Sequence, residues 1–286
     1  MKKIVGIFAI IAIVAMALDG RFNSTDAQAP AQGSADTQAA APGATDRIFK
    51  LADDLNVSVG FKTWFNNWKS DDKAFQGTNP LTVESHGKGW IPTVGLRYRD
   101  FFVSASGVIG TDYNHGTIKT LVGFPGDKMG MRRKEMDINL GYFVHPWVAL
   151  SVGYKALYSN FTCCPPDRFF KVSYDYHSPT LGLSANIPIP EWNEFPSGFS
   201  VYGNAGGGYM WVHPSHNAVN NTNHAFYSNF EGGIAYKIPP LPVALSVGYR
   251  YQRIETHFKS GLVSVIHKTN GEDITKGAIV GISFVF

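Results

Sequence analysis

The side chains best suited to chemistry fall in a few short stretches. His213-Pro-Ser-His216, with His224 close behind, gathers three imidazoles. Neutral imidazole is a ligand for transition metals. His213, His216 and His224 are therefore candidates, but polar loops collect histidines in any case, and no metal is expected. Cys163 and Cys164 are the only two cysteines. In an oxidising compartment the adjacent pair can close a strained vicinal disulfide or staple a loop. No His follows at haem-attachment spacing, and no further Cys exists to complete a zinc site. Arg132-Arg133-Lys134, with Lys119 and Lys128, forms a basic cluster of the kind that pairs with phosphates. Asp175-Tyr-His177 places a carboxylate two residues from an imidazole, but a general base needs its nucleophile within hydrogen-bond reach. These residues call for no cofactor.

A second set of charges lies inside otherwise apolar segments: Lys62, Arg97, Arg133, Glu135, Asp137, Lys155, Glu231 and Arg250. Each occupies the face opposite the apolar one. In an enclosed interior such charges must pair, because an unpaired buried charge costs several kcal/mol. Five bases and three acids make a cross-lumen network, and the sequence leaves open whether it plugs the interior or lines a narrow pore.

The elements that carry these residues alternate with period two, the mark of strands. About ten such segments follow residue 54: 55–66, 89–99, 101–112, 132–144, 147–159, 171–187, 198–212, 225–237, 243–254 and the C-terminal run. Each is long enough for a tilted bilayer crossing of about 9–11 residues. One face is apolar, with Trp90, Tyr98, Tyr142, Trp147, Tyr158, Trp211, Tyr236 and Tyr251 near its two ends, as paired aromatic girdles require. A soluble β-sandwich would instead turn a polar face outward. Tyr174 and Tyr176 are out of phase with Leu181 and Leu183, which suggests a bulge. The inward face is rich in glycine, including Gly95, Gly110, Gly153 and Gly182, as a crowded small lumen demands. Short connections at 99–100, 145–146 and 237–242, and a longer but Pro-rich one at 188–197, alternate with long polar ones near 67–87, 113–130, 160–170, 213–223 and 257–272. The expected fold is all-β: a monomeric, antiparallel up-and-down transmembrane barrel of about ten strands, with eight or twelve as alternatives.

Met1-Lys2-Lys3, an apolar run from Ile4 to Leu18 and Ala15-Met16-Ala17 read as a signal peptide over 1–17. The run is shorter than the roughly twenty residues of a spanning helix. Residues 18–46 are Ala, Gln, Pro, Gly, Ser, Thr and Asp, a disordered leader by composition. The barrel domain is expected over 47–286, with one helical turn at 47–54. Mean hydropathy is only −0.09, which suits a barrel because every second residue faces the lumen. Net charge is +3, and loss of Lys2 and Lys3 with the signal leaves +1, so nucleic acid is not an expected partner.

The last strand is the most telling. Ala278, Val280, Ile282, Phe284 and Phe286 alternate with Gly277, Ile279, Gly281, Ser283 and Val285, and the chain stops on an aromatic. In this it resembles bacterial outer-membrane β-barrels of the broad small, porin-like superfamily, whose closing strand ends in Phe. The resemblance implies that Val280, Ile282, Phe284 and Phe286 form a signal read by the barrel assembly machinery. It also implies the outer membrane of a Gram-negative bacterium, periplasmic termini, extracellular loops, and outer-membrane lipid and lipopolysaccharide as partners. Two narrower likenesses cover only a few residues. Asp175-Tyr-His177 is similar to the Asp-x-His pair of omptin proteases, but the chain order differs and only Asp71, Asp72 or Asp112 remain as facing carboxylates. His213-Pro-Ser215-His216-Asn217-Ala218 is similar to the His-x-Ser-Asn-Ala pattern of lipid A deacylases, with His216 breaking the spacing. The expected role is structural or surface-interacting through large loops. A narrow solute channel is the alternative, and a hydrolase of lipid A or peptides comes after it.

Overall fold

A computed structural model describes residues 55–72, 81–118, 128–163, 170–190, 197–214, 223–258 and 269–286. These form ten strands: β1 (Leu55–Asp72), β2 (Leu81–Tyr98), β3 (Phe101–Ile118), β4 (Lys128–His145), β5 (Val148–Cys163), β6 (Phe170–Pro188), β7 (Phe199–Pro214), β8 (Asn223–Ile238), β9 (Val243–Phe258) and β10 (Thr269–Val285). Each pairs antiparallel with its sequence neighbour, and β10 returns to β1 to close the barrel. The seam is fully laddered from Ser58↔Val285 to Asp72↔Gly271. Val57 and the terminal Phe286 exchange both backbone bonds, at 3.0 and 2.8 Å. Residues 1–54, which hold the expected signal, leader and helical turn, lie outside the described residues.

All ten expected strands are present, but they run to 16–19 residues, well beyond a crossing. β2 begins eight residues before the expected 89, and His86, His213 and His257, expected in loops, all lie on strands. The strands outlast the membrane. Near the termini, the outward face is apolar: Val103, Leu140, Val152, Leu181, Val247 and Val280 are all exposed. The inward face at that height is small and polar, with Ser104, Asn139, Ser151, Thr180 and Ser246. Towards the other end the two faces exchange character. Lys88, Arg132, Lys134 and Arg253 stand outside, while Trp68, Tyr113, Met210, Val212 and Ile254 are buried inside. An apolar exterior is stable against lipid, and an apolar interior with a polar exterior is stable in water. The barrel therefore crosses a membrane with its lower half and stands clear of it with its upper half.

This exchange corrects the reading of β6. Its register with β5 runs unbroken from Val148↔Ala185 to Cys163↔Phe170, so there is no bulge. Tyr174 and Tyr176 point inward as core residues because β6 has left the lipid at that height. A bulge does occur in β3, where Val108↔Glu135 is followed by Thr111↔Arg133. Ile109 and Gly110 face Lys134 together, and Gly110 takes φ 72°, a conformation suited to glycine. Gly110 is thus exposed on the bulge and does not line the lumen as expected.

Two outcomes check this division. The folded protein should migrate faster on unboiled than on boiled gels. Leu181→Arg, in the middle of the apolar band and 69% exposed, should lower stability in lipid vesicles by about 2–4 kcal/mol. Lys134→Ala, above the band, should stay within about 0.5 kcal/mol of wild type in the same urea titration.

Candidate functional site

Alternation along β4 sends Arg133, Glu135 and Asp137 to the lumen from three successive inward positions. Register then supplies partners. Lys155 on β5 lies directly across from Asp137, and Arg250 on β9 lies across from Glu231 on β8. Lys155 Nζ donates to Glu135 Oε2 at 2.6 Å and to both Asp137 oxygens at 3.0 Å. Gln252 Nε2 donates to the same Glu135 oxygen at 3.2 Å. Arg250 Nη2 approaches it at 3.8 Å from across the barrel. Arg133 Nε and Glu135 Oε1 meet at 2.7 Å as a charge contact without hydrogen-bond alignment, while Arg133 Nη1 donates to Thr275 Oγ1 on β10 at 3.1 Å. Glu135 is therefore the centre of a buried layer that joins β4 to β5, β9 and β10.

The layer continues on its lower side. Lys62 Nζ on β1 reaches Glu231 Oε1 at 2.5 Å and lies 5.6 Å from the centre of the Tyr202 ring. Arg250 Nε donates to Asn229 Oδ1 at 3.0 Å, and its guanidinium lies 4.9 Å from the Trp64 ring centre. Seven of the eight charges expected in the lumen belong to this layer. Arg97 does not. Its Nε donates to the Arg99 carbonyl at 2.8 Å and its guanidinium covers Phe143 at 3.9 Å, at the mouth nearer the termini. Its strand position gave the inward face but not the height.

Above the charges the lumen is filled with apolar side chains. One cluster joins Leu157, Tyr174, Tyr176, Met210, Val212, Ala225, Tyr227 and Ile254, and a second joins Trp68, Val83, Tyr113 and Met131, with Phe161 against both. Trp68 Nε1 donates to Asp273 Oδ1 at 3.0 Å. Lys155 Nζ lies 4.8 Å from the Tyr227 ring centre, so the two layers touch. The side chains of Lys155 and Glu135 have no exposed surface.

The other expected residues lie elsewhere. Trp90, Tyr142, Trp147, Tyr158 and Trp211 are exposed on the outer surface, as are Val280, Ile282, Phe284 and Phe286 on β10. Tyr98, Tyr236 and Tyr251 are half-buried on the same face. Cys163 ends β5, and Cys164 lies outside the described residues. The basic cluster is divided. Arg132, paired with Asp112 at 2.7 Å, and Lys134 face outward, Arg133 faces the lumen, and Lys119 lies outside the described residues. Asp175 and His177 face outward on β6, with the Tyr154 hydroxyl 2.8 Å from His177 Nδ1. Asp71 and Asp112 also face outward, on β1 and β3, so the barrel wall separates them from that pair. Ser215 and His216 lie outside the described residues. His213 and His224 do not pair with each other. His213 lies opposite Asp175 and His224 opposite His257, a residue the sequence did not single out.

Breaking the layer at its centre should be costly. Glu135→Ala leaves Arg133, Lys155 and Arg250 without their shared carboxylate. It should destabilise the refolded barrel by about 3–5 kcal/mol in urea unfolding.

No protein-family model matches the sequence, and no curated protein matches it. Among solved structures, the outer membrane protease OmpT from Escherichia coli aligns over 82% of this chain and 97% of its own, with 14% identity and a TM-score of 0.49. The outer membrane protein OprG from Pseudomonas aeruginosa aligns over 81% and 95%, with 12% identity and a TM-score of 0.37. The outer membrane protein AlkL, solved in lipid bilayers, aligns over 92% and 97%, with 14% identity and a TM-score of 0.36.

Proposed function

We propose that this chain is an outer-membrane β-barrel of a Gram-negative bacterium with a sealed lumen and a structural, surface-interacting role at the end away from its termini. The observation that supports it is the filled interior, in which Glu135 and Lys155 are wholly buried beneath two apolar clusters. A lumen with no water-filled path does not conduct solutes. In this reading residues 1–17 direct export and 18–46 form a periplasmic leader. Val280, Ile282, Phe284 and Phe286 are read by the barrel assembly machinery. The exposed aromatics at the two edges of the apolar band are its girdles, seated at the headgroups, and the barrel acts as a monomer. Lys88 on β2 and Arg132 and Lys134 on β4 stand just above the band, on the two strands that flank β3, where they meet lipopolysaccharide phosphates.

A narrow channel is the second reading. The half of the lumen nearer the termini favours it, being lined by small polar residues that are half-exposed, such as Ser104, Asn139, Thr180 and Ser246. A shift of the charge layer together with the apolar clusters above it would open the path. The hydrolase reading has no comparable observation behind it.

Planar-bilayer recording separates the two. Purified protein should insert and remain silent across repeated reconstitutions. Reproducible conductance steps in wild-type protein would overturn the sealed barrel in favour of the channel.

A further inference from the structure

Among the described side chains, the lysines and arginines on the outer face above the apolar band fall into two groups. Lys69 meets Asp71 at 2.6 Å, Arg132 meets Asp112 at 2.7 Å and Arg253 meets Glu272 at 2.6 Å. Lys88 on β2, Lys134 on β4 and Lys276 on β10 are exposed and meet no described carboxylate. Each of these three is the first charge on the outer face of its strand above the apolar positions, following Trp90, Met136 and Ala278. The paired cations stand one outward position higher. Arg132 follows Lys134 on β4, and Lys69 and Arg253 lie across from Ile274, next above Lys276. A lysine at the lipid edge lays its stem on the apolar surface and holds its ammonium at headgroup height, and here no protein group neutralises it.

The three lysines share one arc of the wall, whose strands run β10, β1, β2, β3, β4. They occupy every second strand of it, so successive ammonium groups are about 10 Å apart across the wall. Lys88 is held between two rings, with Nζ 4.1 Å from the Trp90 centre and 5.5 Å from that of Phe65. Phe61 stacks on Trp90 at 5.4 Å below them. Lys276 lies across from Asn67 and Tyr251, and Lys134 from Tyr158. Phe61, Phe65, Trp90 and Ile109 are exposed beneath the row. On β7 to β9 the outer face at the edge of the band carries Tyr209, Trp211, Phe226 and Tyr251 instead, and the cation above them, Arg253, is already held by Glu272. Positive charge without a partner is thus confined to one side of the barrel.

We propose that Lys276, Lys88 and Lys134 form a site for one bisphosphorylated glycolipid, the lipid A part of lipopolysaccharide, on the β10-to-β4 arc alone. The inference rests on the outer-membrane reading above. It goes further in limiting the contact to one arc, in adding Lys276, and in giving Arg132 a minor part because Asp112 already takes its charge. A row of three cations at this spacing is too wide for one phosphate. Two phosphates held apart by a disaccharide match it, one between Lys276 and Lys88 and the other between Lys88 and Lys134. Ammonium and phosphate form strong charge-assisted hydrogen bonds, and the acyl chains lie down over Phe61, Phe65 and Ile109. The site gives the barrel a fixed lipid on one side and leaves β5 to β9 open to exchange.

The test is native mass spectrometry of the full-length mature barrel, folded in detergent and incubated with bisphosphorylated lipid A. One bound lipid A per barrel is expected. Dephosphorylated lipid A, phosphatidylglycerol and inorganic phosphate should each be retained about tenfold more weakly or less. Lys88→Gln with Lys134→Gln should weaken lipid A binding by about tenfold or more, and Lys276→Gln should weaken it as well. Lys69→Gln with Arg253→Gln removes the same charge from the same end of the barrel and should leave binding unchanged. Unboiled gel mobility confirms that only folded barrels are compared. A folded wild type that retains no lipid A overturns the inference. So does binding that survives the Lys88, Lys134 double variant, equal loss in both double variants, or phosphatidylglycerol or inorganic phosphate bound as tightly as lipid A. A chain that does not fold in detergent overturns the outer-membrane reading and this inference with it, whereas a folded barrel indifferent to lipid A overturns this inference alone.

Discussion

Hydrocarbon offers the peptide backbone no hydrogen-bond partner, so a strand can cross it only if both of its edges are paired. The ladder between β1 and β10 is the constraint on which the rest of the molecule depends. It runs from Ser58↔Val285 to Asp72↔Gly271, and the bonds of Val57 with Phe286 carry it to the final residue. With no free edge, each strand of the spanning half is paired with a neighbour on both sides within the wall. Side chains are then free to answer only to what lies on either side of it, lipid without and lumen within.

What lies outside changes with height, and the side chains change with it. Along β9, Leu245, Val247 and Tyr249 face outward in the lower half, followed by Arg253, Glu255 and His257. The inward residues pass from Ser246 and Gly248 through Arg250 and Gln252 to Ile254. Neither face could be apolar along its whole length. An apolar exterior above the band would lie in water, and an apolar interior along the whole barrel would not fit the small cross-section that Gly233, Gly248 and Gly281 permit. The backbone at Gly233 and Gly248 is so close to Tyr202 that an added Cβ would meet its ring or hydroxyl at 2.9 and 2.5 Å. The charge layer occupies the level at which the lumen changes from one lining to the other.

Lipid solvation made the lower half legible. Alternation is a local property, and the exposed Phe61, Leu140, Val152, Ile234 and Ile282 each lie on the face that their parity indicates. Parity also assigned Lys62, Glu135, Lys155, Glu231 and Arg250 to the lumen. It could not say which of them meet, because Lys62 and Glu231 are 169 residues apart and their contact depends on barrel diameter and strand stagger. The upper half misled for the opposite reason. There the pattern follows water rather than lipid, so Tyr174 and Tyr176 looked out of phase when their strand was regular. His257 was invisible as a partner of His224 because only the β8–β9 register places them opposite each other. The bulge at Gly110 needed a positive φ that no period reveals.

The buried carboxylate also accounts for why so small a lumen is not simply packed with aliphatic residues. An ion-pair layer is seldom more stable than an apolar one of the same shape, and the apolar clusters directly above show that this interior can be filled that way. The lower lumen, however, is lined with glycine and serine, whose small side chains interlock too little to fix one strand against the next. A slip of one residue would turn each lumen side chain toward lipid. Glu135 holds β4 against Lys155 of β5 and against Gln252 and Arg250 of β9, and through Arg133 it is tied to Thr275 of β10. Slippage of β4, β5 or β9 would carry a charge into hydrocarbon, so the layer penalises alternative registers more than it stabilises the native one. In the sealed barrel proposed above, the lumen charges keep the strands in register, and the outer face and far rim are left to meet partners.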